Sequence, residues 1–341
     1  MKPNAKEKQM RLRAQTALAL TLGMGILPAA ALAAPPITTS QTYDTAANTT
    51  ESRDVEITGG TITVEGIDQD TPPQHANRTA TLKGNVRIIH PSGNVLAALS
   101  HGGGTGDWTG ILTVNPDGTK RVQLHGDILV GRHDDPSERG GYVNLYLKGT
   151  ESYFAGGITE VKDAWNNLIP LHQRGGVRLV LSNGATWYPK ADSYTLADPT
   201  TDFGETGSAS DPNKPLGFHL SANGGVIDMA FAAPNAARGT AAGQRTLTFD
   251  NARSALSGAT FRISTDLVHN RADKIVLNGV TGTGNQYHLQ IGFDPKMNDA
   301  ANKTNYVIAP TVTGGIPVLD SDNAGDTVTA PEYTAKKAVA A

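Results

Sequence analysis

The chain has 341 residues, 38 of them glycine and none of them cysteine, with 29 basic and 32 acidic side chains and a formal charge of −3. The lack of thiols excludes disulfides, thiolate nucleophiles and Cys-ligated zinc or iron–sulfur centres. No basic stripe is present to release counterions or meet a negative surface, so the charge pattern speaks against nucleic acid and anionic lipid as partners.

Lys2, Lys6, Lys8, Arg11 and Arg13 face a single acid, Glu7, and an apolar run over 14–27 comes after them. A basic n-region, an h-region and small residues at Ala31 and Ala33, with a cut before Ala34, make 1–33 a cleavable secretory signal peptide. The run is shorter than the ~20 residues of a membrane-spanning helix, so it does not read as an anchor. Its removal leaves 24 basic and 31 acidic residues, a formal charge of −7. The chain is therefore expected to be exported: at the cell surface or outside the cell, or in the periplasm if no translocator is supplied.

Residues 34–54 are Pro, Thr, Ser, Ala and Asn with little to bury, and read as a disordered lead-in without chemistry. From Val55 the pattern changes to short alternating runs bounded by Gly, Asn, Asp and Pro, such as Thr61-Ile62-Thr63-Val64, Val86-Arg87-Ile88-Ile89, Ile111-Leu112-Thr113-Val114 and Leu247-Thr248-Phe249. Period-two alternation marks strands with one buried face, and no mature segment keeps a capped 3.6-residue period. The fold class is all-β, as a sandwich or barrel or as a parallel β-helix. Short strands, abundant Gly and Asn, and recurring units favour the β-helix: Val143-Asn144-Leu145-Tyr146-Leu147-Lys148-Gly149-Thr150 is echoed by Arg178-Leu179-Val180-Leu181-Ser182-Asn183-Gly184-Ala185. At roughly 20–25 residues per rung, the solenoid expected over 55–310 would have on the order of ten to twelve rungs. Residues 311–341 read as a flexible tail, and 191–215, rich in Asp, Gly and Pro, as an insertion that protrudes as an irregular loop.

An order of motifs runs through 177–293. Leu181-Ser182-Asn183-Gly184-Ala185-Thr186-Trp187 comes first, then His219-Leu220-Ser221-Ala222-Asn223-Gly224-Gly225-Val226-Ile227-Asp228-Met229. Leu256-Ser257-Gly258-Ala259-Thr260-Phe261-Arg262-Ile263-Ser264-Thr265-Asp266-Leu267 is next, then Ala272-Asp273-Lys274-Ile275-Val276-Leu277-Asn278-Gly279 and Tyr287-His288-Leu289-Gln290-Ile291. This order resembles the C-terminal part of an autotransporter passenger domain of the pertactin-like kind. The resemblance implies a right-handed parallel β-helix whose last rungs, about 245–293, form a folding unit, and a role at the bacterial surface, most often adhesion. Such proteins continue into an outer-membrane barrel, which this chain does not encode; a truncated or split product, or a passenger working without a covalent translocator, is the expectation. The unit over 247–291 carries the densest inward candidates, among them Phe261, Ile275, Val276 and Leu277, with a looser middle before it.

Candidate chemistry is sparse. His125, Asp127, His133, Asp134 and Asp135 have spacings that could ligate a divalent metal, yet they match no metal motif and read as a solvated loop. His101-Gly102-Gly103-Gly104-Thr105-Gly106-Asp107 lacks the Lys-Ser/Thr of a phosphate loop, and no nucleophile elbow occurs. Asp163, Asp192, Asp198, Asp202 and Glu205 with Lys190 could line a face as in polysaccharide lyases. Trp108, Trp165 and Trp187 could stack on sugars, although core or corner packing is the expected use of each. Arg271-Ala272-Asp273 has Ala where an integrin tripeptide needs Gly. No catalytic residue, cofactor or metal is assigned. The expected function is structural or adhesive, with a host or bacterial surface protein or glycan as partner; the alternative is a secreted carbohydrate-active β-helix enzyme.

Overall fold

A computed structural model describes residues 34–70, 73–100, 108–132, 140–198, 211, 213–229, 245–252, 256–266, 271–280, 284–293, 319–321 and 327–329. Each alternating run among them is a strand, and nearly every strand lies parallel to the equivalent strand one turn away. The first sheet comprises β1 (Gln41–Tyr43), β3 (Val55–Thr58), β4 (Ile62–Glu65), β8 (Val86–Ser100), β10 (Val122–Arg132), β12 (Tyr153–Gly156), β14 (Thr186–Pro189), β17 (Val226–Asp228), β19 (Thr260–Asp266), β20 (Arg271–Ala272), β22 (Gln286–Phe293) and β24 (Thr327–Thr329). The second runs β16 (Gly217–Ser221), β13 (Gly175–Ser182), β11 (Gly141–Lys148), β9 (Gly110–Val114), β7 (Arg78–Leu82) and β2 (Asn48–Glu51). A third contains β15 (Ser193–Thr195), β18 (Thr246–Asp250), β21 (Lys274–Leu277) and β23 (Leu319–Ser321). Among the described strand pairs, the hairpin β5 (Ile67–Asp70)–β6 (Pro73–Ala76) and the pair β19–β20 are antiparallel, and outside the strands one isolated bridge, Lys162 to Leu168, is antiparallel too.

The fold is thus an all-β parallel solenoid of about six turns, 3% helical. Ten to twelve rungs do not form, because a turn consumes more chain than a minimal rung. Hydrogen-bonded groups on adjacent turns are 28 residues apart at Arg245 and Asp273, 31 at Asn115 and Tyr146 and 36 at Asn85 and Arg121. The echoed units are neighbours on adjacent turns: β11 and β13 pair over eight residues, with Leu145 opposite Leu179 and Leu147 opposite Leu181.

Registration turns alternation into columns. Ile57, Ile88, Leu124, Phe154, Trp187, Ile227, Phe261 and Leu289 stack inward down the first sheet. Leu82, Val114, Leu145, Leu179 and Leu220 do the same on the second. All are buried, and each fully buried Leu or Ile is worth about 1.5–3 kcal/mol of transfer free energy. At the corner Asn183-Gly184, both residues sit at positive φ, 51° and 82°, the left-handed geometry that Asn and Gly tolerate and a β-branched residue does not.

Several expectations need correction. The lead-in over 34–54 is not unstructured: β1 pairs with β4, β2 with β7, and Ile37 bridges Val55 and is buried. A parallel ladder is held by main-chain bonds, so polar Thr and Asn suffice once a neighbouring turn offers its edge. At the other end β23 and β24, inside the expected tail, add to β21 and β22. The insertion over 191–215 does not simply protrude. Ser193–Thr195 pairs with β18 and places Tyr194 inside, and the Asn213 carbonyl accepts the Asn144 side-chain amide over the second sheet; 199–210 lie outside the described residues. Val276 is half-buried between buried Ile275 and Leu277, so alternation turns it outward. Leu267, the last residue of the Thr-Asp-Leu motif, lies outside the described residues. Burial does not set the C-terminal unit apart, since Leu124, Ile128, Val130 and Leu145 in the middle are fully buried too.

The inner column turns aromatic where the third sheet joins. Trp187 meets Tyr194 edge-on at 4.8 Å between ring centroids, with Phe218 at 5.5 Å and Phe249 at 6.2 Å. Burial pushes the Tyr194 phenol up to about 12. Its ordinary value is near 10, so above pH 10 the unfolded chain ionises this group while the folded chain keeps the proton. Stability from this site is intact below pH 10 and is lost between pH 10 and 12, on the order of 2–3 kcal/mol. Alkaline unfolding followed by circular dichroism should therefore be less steep between pH 10 and 12 for Tyr194→Phe than for the native chain. Coincident pH profiles of the two proteins would refute the assignment.

Candidate interaction surface

Between β12 and β13 the chain leaves the sheets. Residues 157–159 first continue beside β10: the Ile128 N–H donates to the Gly157 carbonyl at 3.0 Å, and the Thr159 N–H to the Ile128 carbonyl at 2.9 Å. Val161 and Ile169 then close a small hairpin, the Ile169 N–H donating to the Val161 carbonyl at 2.8 Å, with Lys162 and Leu168 bridged antiparallel. The short helix Leu171–Arg174 returns the chain to the second sheet.

The tip is Asp163-Ala164-Trp165-Asn166-Asn167. Asp163 organises it: one carboxylate oxygen accepts the N–H groups of Trp165 at 2.9 Å and Asn167 at 2.8 Å, and the other accepts the Asn167 amide at 3.0 Å. The Asn167 amide and N–H, then the Trp165 N–H, hold the Asp163 carboxyl below the usual carboxylate range. Asn166 takes φ 67° to close the turn, and its side-chain oxygen accepts the Lys162 ammonium at 3.1 Å. Trp165 stands on this frame 82% exposed, with Leu168 55% exposed beside it, the two exposed large hydrophobics among the described residues. Trp165 is thus no core or corner residue. An Asx-turn pattern with a Trp inside it, between Val161 and Leu168-Ile169, is the signal that would have separated it from Trp187.

Arg174 braces the base. It is buried, and its guanidinium donates to the Val130 carbonyl at 2.6 Å and to the Thr159 carbonyl. No carboxylate among the described residues pairs with it, and burial pulls it down to about 10. Arg174→Lys keeps the charge, but a single ammonium cannot fork between the two carbonyls. We expect a loss of about 1–3 kcal/mol in urea unfolding, from the polar group left without a partner, together with faster protease cleavage within 158–170. An unchanged midpoint and unchanged cleavage would show that the fork carries nothing.

The other candidates are not gathered into a site. His125, its imidazole pulled down by burial, and Asp127 neighbour each other on β10, but Asp127 accepts the Gly157 N–H and the Lys190 ammonium. His133, Asp134 and Asp135 lie outside the described residues, as do Asp202, Glu205 and 101–107. Asp192 pairs with Arg245 at 2.7 Å, and Asp273 accepts the Arg245 N–H at 2.9 Å, so these charges tie turns together at a corner. Asp163 belongs to the hairpin, Asp198 is half-buried and Trp108 is half-buried. Trp187 is buried, with its indole N–H on the Gly156 carbonyl at 3.0 Å. On the outer face of the first sheet, Asp228 is covered and paired with Arg262 at 2.7 Å, one turn from Tyr188. No group of three or more His, Asp or Glu among the described residues could hold a metal ion.

No protein-family model, curated protein or solved structure matches the chain. The reading of function therefore rests on the residues and the fold.

Proposed function

We propose that the chain is an exported surface protein of the autotransporter-passenger kind, in which the solenoid is a scaffold and the Trp165 hairpin is a contact element. The observation that carries this reading is a tryptophan 82% exposed on a hydrogen-bonded tip, whereas among the described residues Trp187 is buried and Trp108, Tyr146 and Tyr188 are half-buried. Exposing an indole forgoes its burial energy, and exposed aromatic anchors on rigid frames are what binding surfaces use. A parallel solenoid suits the scaffold role, because each turn is stabilised by its neighbours and a hairpin can leave one turn without breaking the column. The signal-peptide pattern over 1–33 and the motif order over 177–293 support export and the passenger kind.

Trp165→Ala tests it. With no packing lost, its stability should stay within about 0.5 kcal/mol of the native chain in urea unfolding. Attachment of the purified protein to intact bacterial or epithelial cells should fall at least tenfold. Equal attachment of both proteins would remove the hairpin from the function.

A further inference from the structure

The tip also bears on what it contacts, on the reading that the hairpin is the contact element. Three features narrow the occupant.

The first is charge. The hairpin and its stem carry Glu160, Lys162 and Asp163; Lys162 is engaged by Asn166, and Asp163 by Trp165 and Asn167. Their formal sum is −1, so the hairpin holds no excess of positive charge to steer or hold an anionic ligand.

The second is apolar area. A stable protein–protein contact needs roughly 800 Å² per partner around an apolar centre. Here the described residues supply one indole and, on the returning strand, one leucine. That is too little for a protein interface centre and matches the size of a single ring.

The third is the rim. Asn166 and Asn167 directly follow the indole in sequence and are both exposed; with the Asn166 side-chain oxygen on Lys162 and the Asn167 amide nitrogen on Asp163, the Asn166 amide nitrogen is left to donate and the Asn167 side-chain oxygen to accept. Asp163 fixes the backbone beneath them, so the ordering cost is met in the free protein. A flat apolar surface with a neutral donor and a neutral acceptor next to it in the chain suits a ligand with an apolar C–H face and hydroxyls at its edge.

We propose that the Trp165 hairpin binds a neutral glycan, one pyranose ring lying on the Trp165 indole with its hydroxyls on the Asn166 and Asn167 amides. The indole supplies the apolar contact and the amides the orientation. Anionic sugars gain nothing from the hairpin, so neutral polymers retain the protein at least as well as anionic ones.

The test compares the native chain, Trp165→Ala and Trp165→Phe on cells that are untreated, oxidised with periodate to open sugar diols, or shaved with trypsin. The same proteins are run through native gels containing mannan, galactomannan, dextran or polygalacturonate, and are mixed with phosphatidylcholine/phosphatidylglycerol vesicles. Expected is Trp165-dependent attachment that falls at least tenfold after periodate and survives trypsin, with Phe retaining part of it. Retardation by one or more neutral polymers, absent in Trp165→Ala, would agree. Trp165-dependent attachment that survives periodate but not trypsin, or Trp165-dependent binding to vesicles, overturns the glycan and leaves the contact role standing. Retardation by polygalacturonate alone overturns the neutral-ligand claim. Attachment indifferent to Trp165 in every arm overturns the contact role itself.

Discussion

Trp187→Ala is expected to destabilise the solenoid by about 3–5 kcal/mol. The side chain is fully buried and is the largest in the inner column, so its removal leaves a cavity walled by Tyr194, Phe218 and Phe249. These rings sit on three separate strands, β15, β16 and β18, and main-chain pairing limits how far each can move to fill the gap. The Gly156 carbonyl, 3.0 Å from the indole nitrogen, also loses its donor. Urea unfolding followed by far-ultraviolet circular dichroism measures the loss, and Trp187→Phe should recover part of it. Because a solenoid is stabilised by nearest neighbours, amide exchange should rise first in the turns above and below this position. A loss under 1 kcal/mol would mean that the aromatic cluster is not the keystone of this junction.

Gly141→Ala and Gly176→Ala are each expected to cost about 3 kcal/mol, at the upper end for overpacking. A Cβ on Gly141 would lie 1.7 Å from the Ala98 carbonyl oxygen, and one on Gly176 would lie 1.5 Å from the Pro215 carbonyl oxygen. Both obstacles are backbone, which cannot rotate away as a side chain can. Gly141 is also paired on both sides, with Gly110 and Gly175, so a shift there disturbs two ladders. Gly157→Ala is the control: its nearest neighbours would be 3.5 Å away, and the change should stay within about 0.5 kcal/mol or stabilise slightly. If all three variants unfold at the same urea concentration, the close approach of turns at Gly141 and Gly176 does not matter for stability.

How much of the fold could be read beforehand depends on how local the signal is. Alternation such as Val177-Arg178-Leu179-Val180-Leu181 is written residue by residue, and it identifies a strand and its inward face without reference to the rest of the chain. The echo between the units at 143–150 and 178–185 is likewise internal to the sequence, and it located two adjacent turns. Asn183-Gly184 announces a left-handed corner because few other residues accept one. Class, strand faces and repetition were therefore legible.

Length per turn was not, because it depends on how much chain each corner and arm takes up. Nothing in the Thr- and Asn-rich segment over 41–51 separates a coil from an edge strand; the neighbouring turn supplies the hydrogen bonds that decide it. Tyr194 lies in a stretch read as an irregular insertion, and only its pairing with β18 brings the ring inside. The three tryptophans show the division most directly. Composition treats them alike, yet Trp187 falls on an alternating strand that stacks beneath Phe154 and is buried, whereas Trp165 falls in a turn that Asp163 holds away from the sheets. By itself the sequence determined the β-class, the inward columns and the corner chemistry, since these depend on neighbours in the chain. Tertiary structure alone decided the number of turns, the partners of Arg174 and the exposure of Trp165, since these depend on which distant backbone comes alongside.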